Sequence, residues 1–125
     1  MDLPSSPESE FGVIGCCLEG GLETTLQAVE QLPASAMMMP DCQEAFNVLE
    51  KMATHGKRID VAEFILSWKQ HKRSQSAQPP TAILDSVGGI PSPANLHYYI
   101  QILVEAHQRR RIILAANAIA SKACR

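Results

Sequence analysis

No stretch of this sequence alternates apolar and polar residues with β-branched enrichment, so a sheet is not expected and the fold class reads as all-α. No apolar run reaches the ~20 residues that span a bilayer. Residues 1–9 lack the basic segment and apolar run of a secretory signal, so no membrane association follows. The four cysteines, Cys16, Cys17, Cys42 and Cys124, form no C-x-x-C pair and have no histidine at metal-ligand spacing. Cys16 and Cys17, adjacent on a helix, would point about 100° apart. A reduced, cytoplasmic protein without structural metal or disulfide fits this pattern. Phosphate-binding loops, dinucleotide fingerprints, metalloprotease helices and nucleophile elbows are all missing, which argues against an enzyme. The net charge of −2 argues against a surface built to neutralise phosphates, so single-stranded DNA should bind only weakly if at all.

What is present is a single domain of 125 residues, large enough to bury roughly two thirds of its unfolded surface. Residues 1–6 read as an extended or disordered N-terminus. A globular bundle follows over residues 7–91, and one long helix over residues 92–125. Ser6 as N-cap, Pro7 at the first helical position and Glu8 and Glu10 near the positive end of the dipole start the first helix. Phe11, Ile14, Gly15 and Leu18 line its apolar side, Gly15 offering a close approach, and Gly20-Gly21 closes it. Leu22, Leu26, Val29 and Leu32 make a second stripe ending before Pro33. Met37 to Met39 read as a packed linker, with an adaptable binding surface as the alternative.

A third helix starting near Pro40 or Asp41 puts Phe46, Leu49, Met52 and Ala53 on one face and ends at His55-Gly56. Asp60 and Glu63 form a capping box for a fourth, whose core face is Val61, Phe64, Ile65 and Trp68. His71 to Pro80 reads as an exposed polar loop, and Thr81 as the cap of a short helix carrying Ile83, Leu84 and Val87 before Gly88-Gly89. The four histidines, His55, His71, His97 and His107, are scattered and read as solvated or partly packed.

From Ser92 and Pro93 to Ala123 there is neither proline nor glycine, and at ~1.5 Å per residue such a helix is roughly 45 Å long. A compact domain of this size has a radius of gyration of only ~14 Å, so the rod overhangs. Its first half carries Leu96, Tyr99, Ile100, Leu103 and Val104 on one side, facing the body. In its second half Ile112, Ile113, Leu114, Ala116, Ile119 and their neighbours surround most of the circumference, which calls for cover from another chain or from a continuation of this one. Arg109, Arg110 and Arg111 spread over about 200°, so at least one should face protein. The cluster is either a solvated collar where the helix leaves the body, or a site where Arg110 meets a carboxylate across a helix interface while Arg109 and Arg111 contact a partner or DNA.

Several of these segments together resemble the N-terminal domain of DnaB-like bacterial replicative helicases. Pro7-Glu8-Ser9-Glu10 with Ile14-Gly15 and Leu18 resembles the start of that domain. Phe46-Asn47-Val48-Leu49 leading to His55-Gly56-Lys57-Arg58-Ile59-Asp60 is similar to a family helix that ends in glycine before an isoleucine-aspartate opens the next. Pro91-Ser92, Ala94-Asn95, Tyr99, Arg110, Asn117 and Ile119 keep the order of the family's long helix. The Met37 to Met39 region departs from the family's aromatic, and the stretch between Trp68 and Pro91 is short and altered.

The resemblance implies an orthogonal bundle of about six helices with a projecting hairpin, of which the last helix is the first arm. The chain ends where the second arm and the linker to an ATPase domain would follow. It implies a non-catalytic collar that assembles as dimers within a hexamer and docks the helicase-binding domain of primase, or a loader, in the primosome, with ATP and magnesium bound by the missing domain. Interface residues are then expected at Tyr99, Leu103, Arg110, Ile112, Ile113, Leu114 and Asn117. A free-standing phage- or plasmid-type adaptor mimicking this domain is the alternative.

Overall fold

The computed structural model describes residues 5–71, 78–89 and 92–124, so the reading of residues 1–4, most of the expected loop, Pro91 and Arg125 falls outside the described residues. Among the described residues the fold comprises five α-helices, α1 Pro7–Gln31, α2 Pro40–Thr54, α3 Val61–Gln70, α4 Thr81–Asp85 and α5 Leu96–Ala123, with short 3-10 turns at Ala34–Ala36 and Pro93–Asn95. Among the described residues there is no strand.

Local sequence accounts for most boundaries. The Ser6 hydroxyl accepts from the Ser9 amide, and Pro7 occupies the first turn of α1, where its missing N–H costs no bond. The two helices expected on either side of Gly20-Gly21 are both present but run on through a kink, so that α1 counts as one element. Gly21 makes the kink with φ 84° and ψ −157°, a conformation reserved for glycine. The Thr25 hydroxyl, fully buried, donates back across one turn to the Gly21 carbonyl at 2.9 Å.

Asp60 caps α3 by accepting from the Glu63 amide at 2.8 Å, while the Glu63 carboxylate turns to Arg58 at 3.6 Å instead of back to the cap. Gly56, at φ 65°, ends the turn after α2 as expected. Two readings are corrected. Thr81 is the first residue of α4 rather than its cap, since Pro80 precedes it with no side-chain bond. His71, placed on an exposed loop from its polar neighbours, is buried, with its Nε2 2.8 Å from Glu44 and its Nδ1 3.3 Å from the Lys51 ammonium on α2.

The core lies between α1, α2 and the first half of α5, with α3 and α4 closing its sides. Phe46, Leu49 and Met52 from α2, Ile14 and Leu18 from α1, and Phe64 and Trp68 from α3 are all buried; Val61 and Ile65 are only half-buried. A side chain on Gly12 would place its Cβ 2.9 Å from the ring of Tyr99, so α1 and α5 approach here at a distance only glycine allows. Gly15, where the close approach was expected, is buried one turn further on.

Candidate partner-binding helix

α5 changes character along its length. Leu96, Ile100, Leu103, Ala106 and Arg110 are buried against the body, at spacings of four, three, three and four residues. Past Arg110 every described residue is exposed except the half-buried Ile113. Ile112 and Ile119 are each 69% exposed and Leu114 54% exposed. The 28-residue helix is ~42 Å long, of which roughly the last 20 Å stands clear of the body. Isoleucine and leucine side chains in water each forfeit about 1.5–3 kcal/mol relative to burial, which favours any surface that covers them.

The root of this arm is held from two sides. The Arg110 guanidinium, 4% exposed, donates through Nη2 to the Ala36 carbonyl at 2.8 Å. On the other side of the same loop, the fully buried Glu10 carboxylate accepts from the Met38 and Met39 amides through one oxygen, both at 2.9 Å. An acid from α1 and a base from α5 thus bracket residues 36–39. Glu10 is the residue that sequence reasoning missed: its acidic side chain was assigned to the helix dipole, whereas its partners lie 28 and 29 residues away.

The second oxygen of Glu10 is buried without a hydrogen-bond partner among the described residues. Substituting Glu10→Gln keeps the acceptor and removes a buried charge, so stability should hold or rise. Substituting Glu10→Ala orphans two amides and should cost about 1–3 kcal/mol. Chemical denaturation of the two variants separates these outcomes, and equal losses would mean that the carboxylate charge itself is needed.

The expected interface residues therefore divide. Leu103 is fully buried and serves the core, so it has no surface to offer a partner. Arg110 faces protein, as one of the three arginines had to, and donates to a backbone carbonyl of its own chain. Tyr99 is half-buried with its ring over Gly12. Ile112, Ile113, Leu114 and Asn117 sit together on the projecting half, and Arg109 and Arg111 are exposed beside its root. Partial desolvation, joined by the nearby Arg110 and Arg111 charges, pushes the His107 pKa below its ordinary value.

The buried cysteines are not poised for chemistry. Burial pushes the Cys17 and Cys42 thiols up to about 12 and Cys16 up to about 11, so none is a nucleophile at neutral pH; Cys124 is exposed. Among the described residues no three His, Cys, Asp or Glu side chains are placed to hold a metal ion, and no helix is long and apolar enough to cross a membrane.

The architecture is that of a small helical bundle whose last helix overhangs the body with an uncovered apolar half. Residues 2–105 match the DnaB-like helicase N terminal domain family, and the chain belongs to that family. It is 33% identical over 132 aligned positions to the replicative DNA helicase DnaB of Treponema pallidum, covering 96% of this chain and 27% of that protein. It is 24% identical over 123 positions to the replicative DNA helicase DnaB of Geobacillus stearothermophilus, covering 94% and 26%. The chain thus spans about a quarter of the length of these relatives. The crystal structure of the N-terminal domain of DnaB helicase from Mycobacterium tuberculosis has the same fold, with a TM-score of 0.83 at 19% identity over 96% of this chain and 83% of that one.

Proposed function

We propose that this chain is the non-catalytic N-terminal collar of a hexameric replicative DNA helicase, working in the cytoplasm. In this reading it associates with further copies of itself through the projecting half of α5 and presents the assembled collar to the helicase-binding domain of primase or to a loader. ATP and magnesium would act in a separate ATPase domain of the parent protein. The observation that carries the reading is the uncovered apolar arm: Ile112, Leu114 and Ile119 are more than half exposed on a helix anchored firmly at its other end. An apolar surface of this kind is maintained for something that covers it. The overall net charge of −2 leaves single-stranded DNA a minor partner at most.

Sedimentation velocity across a concentration series tests the assembly half. The double substitution Ile112→Asp/Ile119→Asp should weaken self-association at least 100-fold while the far-ultraviolet spectrum stays native, because both side chains lie outside the core. A wild-type chain that remains monomeric at high micromolar concentration would remove the basis for the proposal. Calorimetry with the C-terminal domain of the primase from the same organism tests the docking half, saturable binding being the expected result and no binding pointing to a loader instead.

A further inference from the structure

Where the start of α1 meets the start of α5, the surface of the body folds into a cleft of about 440 Å³, with Glu8, Ser9, Asn95, Tyr98, Tyr99 and Ile102 among the residues on its walls. Its aromatic wall is a pair of adjacent tyrosines set at an angle, ring centroids 5.6 Å apart and planes inclined by 54°. Tyr99 is seated against α1, where the missing side chain of Gly12 leaves room for its ring. Tyr98 stands open to solvent at 60% exposed. Among the described residues neither tyrosine hydroxyl makes a hydrogen bond within the chain. At the lip Glu8 is exposed and has no ion pair among the described residues.

We infer that this cleft takes a proline-rich segment of a partner protein, in the extended polyproline conformation, with a lysine or arginine beside the prolines to meet Glu8. The inference stands apart from self-association and from the projecting half of α5, since the cleft lies on the body.

Three features select that chemistry. Proline rings pack flat on aromatic faces, and a polyproline segment is already ordered before it binds, so two fixed or nearly fixed rings capture it at little entropic cost. The walls are helices, whose carbonyls are engaged in their own ladders and leave few acceptors for a partner's backbone N–H groups. Proline has no N–H to satisfy, and its free carbonyls accept from the tyrosine hydroxyls and the Asn95 amide. The unpaired Glu8 carboxylate then supplies charge complementarity for a basic neighbour. Single-stranded DNA could stack a base on Tyr98, but Glu8 at the lip and a net charge of −2 oppose its phosphates.

Amide shifts of the 125-residue chain in NMR titration with an oligoproline peptide ending in arginine test this. Saturable shifts confined to the start of α1 and the first half of α5 are expected. Tyr98→Ala, at an exposed position that leaves the fold intact, should weaken binding about tenfold or more. Glu8→Lys should weaken it about fivefold, and should leave the binding of an oligoproline without a charged end unchanged. Ile119→Asp, on the arm, should bind like the wild type. Failure of the arginine-ended peptide to saturate, shifts centred elsewhere, or full binding by Tyr98→Ala would overturn the assignment. So would Tyr98-dependent binding of oligothymidylate tighter than that of the peptide, which would make the cleft a base-stacking site. Equal losses for both peptides in Glu8→Lys would overturn the charge pairing.

Discussion

Truncating Leu103 to alanine should cost about 2–5 kcal/mol of stability, because a fully buried leucine leaves a cavity that its neighbours fill only in part. The same truncation at Leu114, eleven positions along the same helix and 54% exposed, should cost less than about 0.5 kcal/mol in dilute solution. Thermal unfolding at a concentration where the chain is dissociated makes the comparison, with a fall in midpoint of roughly 10 °C expected for the first and almost none for the second. Association gives a different readout at higher concentration: Ile112→Ala should weaken it while Leu103→Ala leaves the affinity of the folded fraction unchanged. Equal stability losses at both positions would mean that the arm is packed in the monomer, and the division of α5 into a buried and a projecting half would fall.

Replacing Gly21 by L-alanine should destabilise the fold by about 1–3 kcal/mol through the backbone alone. At φ 84° and ψ −157° an L side chain is strained whatever the space, and the nearest obstacle to an added Cβ is the Ile59 carbonyl oxygen at an ordinary 3.8 Å. The cause can therefore be isolated by chirality. D-Alanine at position 21, introduced by chemical ligation, finds the same dihedrals favourable and should match or exceed the glycine protein by restricting its unfolded chain. Should L- and D-alanine be equally damaging in urea titration, crowding and not conformation would be the reason for glycine. The kink matters beyond stability, since it sets the direction in which the second half of α1 leaves the core.

Most of the scaffold was legible in the sequence because its signals are local. Ser6-Pro7, Asp60 with Glu63, and His55-Gly56 each mark an end within a turn or two of where it falls, and the apolar stripe of α2 is a matter of spacing. The overhang of α5 followed from length against domain size, and the family resemblance from motifs spread over the whole chain. What escaped notice depends on contacts between residues far apart. Glu10 looks like any acid in a first turn until the amides of Met38 and Met39 arrive beside it. His71 sits at the start of a polar stretch, yet Glu44 and Lys51 on α2 draw it inward. Arg110 was expected to be the arginine that meets protein, but its acceptor, the Ala36 carbonyl 74 residues away, is not readable from spacing.

The way α5 is mounted has a mechanical consequence. It is a cantilever: a stiff beam built into the body over half its length and loaded, whenever something pulls on the free half, with the greatest bending moment at the root. The root is where Arg110 grips Ala36, and where Glu10 holds the next two peptide units from the opposite side. Force applied near Ile119 is delivered first to that loop and, through Glu10, to the opening turn of α1. The loop at residues 36–39 thus ties the base of the arm to the N-terminal end of the body.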